Sequence, residues 1–92
     1  MPKYVIERDL PGAGDLSGDE LQAVSAKSNE VLATMPERAQ WLHSYVTDDK
    51  LVCVYIADDP EAIREHASKG GFPVTAIRRV RTILDPTSGS CN

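Results

Sequence analysis

The chain has 92 residues, of which 41% are hydrophobic and 26% charged, and its formal net charge is −4. This composition predicts one small globular domain, and the acidic balance argues against nucleic acid or an anionic membrane as a partner. No apolar run approaches about 18 residues and no signal-peptide pattern opens the chain, so we expect neither a membrane span nor secretion. The two cysteines, Cys53 and Cys91, form no disulfide framework, which favours a cytoplasmic location.

The first half of the chain predicts a strand, a loop and a helix. Residues 3–8 alternate as a short strand. Ser17 and Glu20 have the spacing of a capping box, so a helix is expected from there to about Thr34. Its apolar stripe contains one polar residue, Ser28. We expect this hydroxyl to bond back to the helix backbone, and the competing interpretation is a polar cleft between helix and sheet.

Residues 41–58 predict a β-hairpin, because two runs of aromatic and β-branched residues flank a polar turn. A two-residue loop would pair Tyr45 with Val52 and His43 with Val54. A three-residue loop is the preferred register, because it separates aliphatic from functional side chains better. It would place the following side chains on one face: Trp41, His43, Tyr45, Leu51, Cys53 and Tyr55.

A second helix is predicted to begin at the cap Asp59, with His66 on its core face, and a last strand is predicted over residues 75–84. The element order is then β-α-β-β-α-β, an α+β fold of ferredoxin-like topology with an antiparallel sheet and two helices on one face. Both faces of the hairpin are largely apolar, so we expect a second subunit over the other face, forming a dimeric α/β barrel. One domain is expected at residues 1–86, followed by a polar C-terminal tail at 87–92.

Metal binding is one interpretation of the residues with ligand chemistry, His43, Cys53 and His66, with Glu7 as a carboxylate. Imidazole and thiolate bind late divalent metals such as nickel, but the spacing matches no known metal signature. On spacing alone the favoured interpretation is a satisfied core histidine and a buried cysteine acting as a small hydrophobe. A thiolate–imidazolium nucleophile ranks lower, because nothing places a third, orienting group.

The charges on the two terminal strands predict ion pairs, between Glu7, Arg8 and Asp9 on one strand and Arg79 and Arg81 on the other. A pocket for an anion or a carboxylate is the less favoured interpretation of the same charges. The glycine-containing loop before the first helix lacks the third glycine of a dinucleotide loop, and no organic cofactor is expected.

Five segments resemble a family of small bacterial proteins: KYVIERDLPGAG, SNEVL, WLHSYVTDDK, CVYIADDPEAIREHASKGGFP and ILDPT. The resemblance extends from Lys3 to Thr87. It is a domain-of-unknown-function family whose best-described members are called nickel-binding proteins. The resemblance implies a ferredoxin-like homodimer with two sheets packed face to face, and nickel binding for sequestration or tolerance.

Several residues match the family's segments and also have ligand chemistry. As metal ligands, the resemblance implies Glu7, His43, Cys53 and His66. The surface carboxylates are weaker candidates: Asp48, Asp49 and Asp58.

A small enzyme is the alternative, because dimeric α/β barrels also host monooxygenases, cyclases and isomerases. In that interpretation His43 or His66 is a general base, and Tyr45 or Tyr55 donates a hydrogen bond to an aromatic or enolic substrate. An enclosed apolar pocket reaching these residues would favour the enzyme, whereas a filled core with ligands at the surface would favour metal binding. An interaction module with neither feature is the third possibility.

Overall fold

The computed structural model describes residues 1–89 as four strands and two helices in the predicted order. The elements are β1 (Lys3–Asp9), α1 (Gly18–Ala33), β2 (Ala39–Val46), β3 (Lys50–Ala57), α2 (Pro60–Gly70) and β4 (Ala76–Arg79). The strands form one antiparallel sheet in the order β2-β3-β1-β4. The predicted α+β fold with an antiparallel sheet and two helices is therefore confirmed. The last three residues, including Cys91, lie outside the described part.

Both helices begin at the caps predicted from the sequence. At the start of α1, the Ser17 hydroxyl accepts a hydrogen bond from the Glu20 N–H at 3.1 Å, and the Glu20 carboxylate accepts one from the Ser17 N–H at 3.1 Å. Asp59 accepts from the Ala62 N–H at 3.0 Å at the start of α2. These bonds satisfy donors that have no partner within the helix. Neither helix is long and apolar enough to cross a membrane, within residues 1–89.

The hairpin between β2 and β3 has the two-residue loop, so the preferred three-residue register is wrong. Tyr45 pairs with Val52 and His43 with Val54. The Thr47 N–H donates to the Lys50 carbonyl at 2.9 Å, which closes the loop around two residues. A register irregularity between Trp41 and His43 then returns Trp41 to the opposite face.

The sheet therefore has two faces of different character. One face packs against the helices and is mostly buried; it includes Tyr4, Ile6, Arg8, Leu51, Cys53, Tyr55 and Ala57. The other face, called the open face, carries no helix from residues 1–89; it includes Lys3, Val5, Glu7, His43, Tyr45, Val52, Val54, Ile56 and Arg78. The two-residue loop places His43 on the open face, and the bulge at Leu42 returns Trp41 to the helix side.

The last strand is shorter than predicted, because it ends at Arg79 instead of continuing through residue 84. Arg79 lies opposite Tyr4, and the Val80 N–H donates to the Lys3 carbonyl at 2.9 Å. Since β1 begins at Lys3, no residues of β1 remain for the following segment to pair with. Residues 81–89, the C-terminal arm, therefore extend from the sheet and end in a short 3-10 helix at Pro86–Gly89.

Candidate functional site

A partly open cleft of about 160 Å³ lies between α1 and the helix side of the sheet. Its walls are mostly apolar and include Leu16, Leu21, Val24, Trp41, Leu51 and Phe72. Polar side chains interrupt these walls at five positions: Arg8, Ser25, Ser28, Ser44 and Tyr55. Concave apolar sites with a few convergent polar groups are typical of small-molecule binding.

Ser28 and His66 form a buried polar pair behind the cleft. The Ser28 hydroxyl lies 3.1 Å from His66 Nε2, and both residues are buried. Burial, with the Arg8 cation nearby, lowers the pKa of His66 to about 4, so the ring is neutral near pH 7. The expected bond from Ser28 to its own helix backbone is replaced by this contact between helices. The interpretation of Ser28 as part of a polar cleft is the one that the geometry supports.

The Tyr55 side chain projects from β3 towards the pair formed by Ser28 and His66. Its ring centroid is 5.3 Å from that of His66. Burial raises the pKa of Tyr55, while hydrogen bonding from Ser28 and the charge of Arg8 act in the opposite direction. The phenol is therefore protonated near neutral pH and has a hydrogen to donate.

Arg8 is the charged residue of the cleft, although it is only 2% exposed. Its Nη1 donates to the Pro73 carbonyl at 2.7 Å, and the guanidinium carbon lies 5.6 Å from the centroid of the Phe72 ring. Nη2 is buried and has no hydrogen-bond partner within residues 1–89. None of the ion pairs in that range involves Arg8. The cleft thus contains a buried positive charge without a negative partner.

The predicted ion pairs of the terminal strands are different from those that form. Glu7 pairs with Arg78 at 2.7 Å on the open face, and Asp9 pairs with Lys50 at 3.4 Å. The sequence predicts Arg8 among these pairs, but its side chain faces the helices. Its position was detectable in the sequence, because Tyr4, Ile6 and Arg8 alternate and share one face of a strand.

The four predicted metal ligands do not come together within one chain. His43 and Glu7 lie on the open face, where β3 separates their strands. Cys53 and His66 lie on the helix side. Adjacent strands are about 4.8 Å apart, so His43 and Glu7 start from backbones on the order of 10 Å apart. Glu7 is also held by Arg78.

The residues of the enzyme alternative are divided in the same way. His43 and Tyr45 stack edge to face on the open face, with ring centroids 5.1 Å apart, and lie outside the cleft. Tyr55 lines the cleft, and His66 is placed behind it through Ser28. The sequence alone does not indicate that Arg8, Ser44 and Trp41 line a cleft. On the cleft wall, Trp41 Nε1 donates a hydrogen bond to the Ser44 hydroxyl at 2.9 Å.

A family model described as nickel responsive protein SCO4226-like matches residues 4–80 of the chain. The chain belongs to this family. The curated proteins contain no match. Among solved structures, the crystal structure of SCO4226 from Streptomyces coelicolor A3(2) superimposes with a TM-score of 0.75, covering 89% of this chain and 99% of that chain at 13% identity. At this identity the likeness establishes the fold alone.

The name of the SCO4226-like family implies nickel, and the ligand set can be compared with that requirement. Late divalent metals prefer imidazole and thiolate ligands, and a protein site normally needs at least three. Within residues 1–89, no group of three or more His, Cys, Asp or Glu side chains is close enough to hold a metal ion. A complete nickel site within one chain therefore does not agree with the described residues.

Proposed function

We propose that this protein binds divalent nickel and serves in nickel sequestration or tolerance, in the cytoplasm. The family match over residues 4–80 is the observation that carries the proposal. The family description names a response to nickel. Direct binding of nickel by the protein is the simplest physical basis for such a response in so small a domain. The ligand side chains of the open face support this assignment.

His43 is the ligand candidate best placed to meet a metal ion from solution. It is exposed on the open face, whereas His66 and Cys53 are buried on the helix side. Exchange of a hydrated cation requires access, and burial of a bare divalent ion among apolar side chains carries a large desolvation cost. His43 is therefore proposed as the principal ligand, with Glu7 or the hairpin carboxylates as weaker contributors.

A homodimer is proposed to supply the ligands that one chain lacks. The open face carries Val52, Val54 and Ile56, and Tyr45 on it is 59% exposed. The C-terminal arm also exposes Ile83 to 64% and Leu84 to 82%. A two-fold interface brings the same patch of each subunit together, so face-to-face sheets would bring two copies of His43 into one interface. This arrangement is the dimeric α/β barrel expected from the sequence.

Isothermal titration of the purified, tag-free protein with nickel, zinc and copper tests the proposal. We expect nickel binding at micromolar concentration, and at least about tenfold weaker binding for His43→Ala, since an imidazole ligand is lost. Cys53→Ser and His66→Ala are the matched comparisons, and each folded variant should bind nickel as the parent does.

The result that contradicts the proposal is a folded, dimeric protein that takes up no divalent metal. Equal binding by the parent and His43→Ala would move the ligands to the surface carboxylates Asp48, Asp49 and Asp58. Loss of binding only in Cys53→Ser and His66→Ala would place the site on the helix side.

An enzyme acting on an aromatic or enolic small molecule is the second candidate, and its specific support is the cleft. Tyr55 lines the cleft and has a proton to donate. His66 is a poor general base near pH 7, because its pKa of about 4 leaves it with little affinity for a proton. Binding without catalysis is thus the better supported use of these residues.

A further inference from the structure

The buried guanidinium of Arg8 is the feature of the molecule that neither the fold nor nickel binding explains. The side chain is 2% exposed, and its Nη2 atom has no partner within residues 1–89. A buried, incompletely bonded charge destabilises a protein unless something compensates for the lost hydration. The Pro73 carbonyl and the Phe72 ring compensate in part. Neither of them carries a negative charge.

The surroundings of Arg8 define the chemistry of a ligand. Ser28 and Tyr55 line the same cleft as Arg8, and each carries a hydroxyl group. The remaining walls are largely aliphatic and aromatic, from Leu21 and Val24 on α1 to Trp41 on β2. A ligand must therefore combine one anionic head with an apolar body.

The volume of the cleft limits the size of that body. It measures about 160 Å³. An apolar cavity of roughly 150 Å³ holds one benzene ring, so a single ring or a short aliphatic chain is the appropriate size. Arginine presents a planar fork of donors that matches a planar carboxylate better than it matches a point charge.

We propose that the cleft between α1 and the sheet binds a small monocarboxylate with an apolar body, whose carboxylate pairs with Arg8. The apolar body lies between the α1 side chains and Trp41, and the Ser28 and Tyr55 hydroxyls border the carboxylate. The net charge of −4 gives the protein no general attraction for anions, so binding depends on this one guanidinium. The site is separate from the open face and requires no metal.

Trp41 provides a fluorescence signal for ligand binding, because it is the single tryptophan of the chain and lines the cleft. Benzoate is titrated into the protein in the presence of a chelator, and the fluorescence of Trp41 is followed. Benzamide, a neutral molecule of almost the same shape, is the ligand control. We expect saturable benzoate binding with a dissociation constant of about 1 mM or below, and at least about tenfold weaker binding of benzamide.

Variants then assign the charge to Arg8. Arg8→Met keeps an unbranched apolar stem but removes the charged guanidinium, and we expect benzoate binding to weaken by at least about tenfold. Arg78→Met makes the same charge change on the open face and should leave the benzoate affinity within about twofold. Ser25→Leu narrows the cleft without altering any charge, and it should also weaken benzoate, which keeps the test valid if Arg8→Met does not fold.

Three results would overturn the proposal. They are an absence of saturable benzoate binding up to about 10 mM, equal affinity for benzamide, and unchanged affinity in a folded Arg8→Met variant or, if that variant does not fold, in Ser25→Leu. Because the titration contains a chelator, none of these results bears on nickel binding. Equally, a protein that binds no nickel could still bind benzoate.

Discussion

His66 shows how far one residue can depart from its behaviour in water. The ring is fully buried between Tyr55 and Phe72, with ring centroids 5.3 Å away on each side. Nε2 meets the Ser28 hydroxyl, while Nδ1 is buried without a partner in the described part of the chain. Protonating this ring would add a second buried cation close to Arg8. The histidine therefore acts as a polar core residue that links α2 to α1.

We expect the stability of the protein to fall on acidification because of His66. The folded protein keeps this ring neutral until about pH 4, whereas the unfolded chain takes up the proton near pH 6.5. Stability is thus fully present above pH 6.5 and declines as the pH falls towards 4, by on the order of 3 kcal/mol for this group. Urea unfolding at a series of pH values between 7 and 4 measures the decline.

His66→Phe is the variant that isolates this contribution. Carboxylates also titrate between pH 7 and 4, but the parent and His66→Phe contain the same carboxylates. The difference between their slopes of unfolding free energy against pH therefore reports on His66. We expect a shallower decline for His66→Phe than for the parent protein. Parallel curves for the parent and His66→Phe would contradict the prediction.

At the scale of elements, the end of α2 determines where Phe72 lies on the wall of the cleft. Gly70 is its last residue, and a Cβ atom there would overlap the ring of Phe72. That ring packs against His66 and under Arg8, so it has little freedom to move away. Gly71 follows with a φ of 70° and turns the chain so that Phe72 reaches back to the sheet.

Gly70→Ala is therefore expected to destabilise the protein, although alanine is the better helix former. We expect a loss of about 1–3 kcal/mol in the free energy of unfolding, because the Phe72 ring or the helix end must shift. Gly18→Ala is the matched control: it lies at the start of α1, and an added Cβ meets nothing within 4 Å. That variant should gain up to about 1 kcal/mol. Chemical denaturation compares the two, and similar stabilities would refute the steric argument.

At the scale of the whole molecule, helices cover one face of the sheet, and no element of residues 1–89 covers the other. Val54 lies at the middle of the open face, between His43 on β2 and Val5 on β1. An antiparallel sheet can keep one face in water, but such a face is usually polar. The aliphatic centre of the open face and the exposed C-terminal arm both support the proposed dimer.

Val54→Glu is expected to convert the proposed dimer into a folded monomer. Burying two carboxylates at a two-fold interface is costly, whereas the side chain stays outside the helix-side core of its own subunit. Light scattering after size exclusion measures the mass. Val74→Glu introduces the same charge at an exposed valine after α2 and should leave the mass unchanged. Equal masses for the two variants would exclude the open face as the interface.

The local features of this protein follow from the sequence by itself. Ser17 with Glu20, and Asp59 with Ala62, interact across three residues, so their patterns are readable before the fold is known. The order of strands and helices follows from alternation and from such caps. Even the family is carried by continuous segments of sequence.

The tertiary structure alone decided which side chains meet. Ser28 and His66 are 38 positions apart, and Arg8 and Pro73 are 65 apart, so no local pattern specifies either contact. The two-residue hairpin loop separates His43 from Cys53 and His66, and one extra residue at Leu42 then returns Trp41 to the opposite face from His43. Side chains alternate with a period of two, so one irregularity exchanges the faces. The composition of the cleft is therefore a property of packing and register.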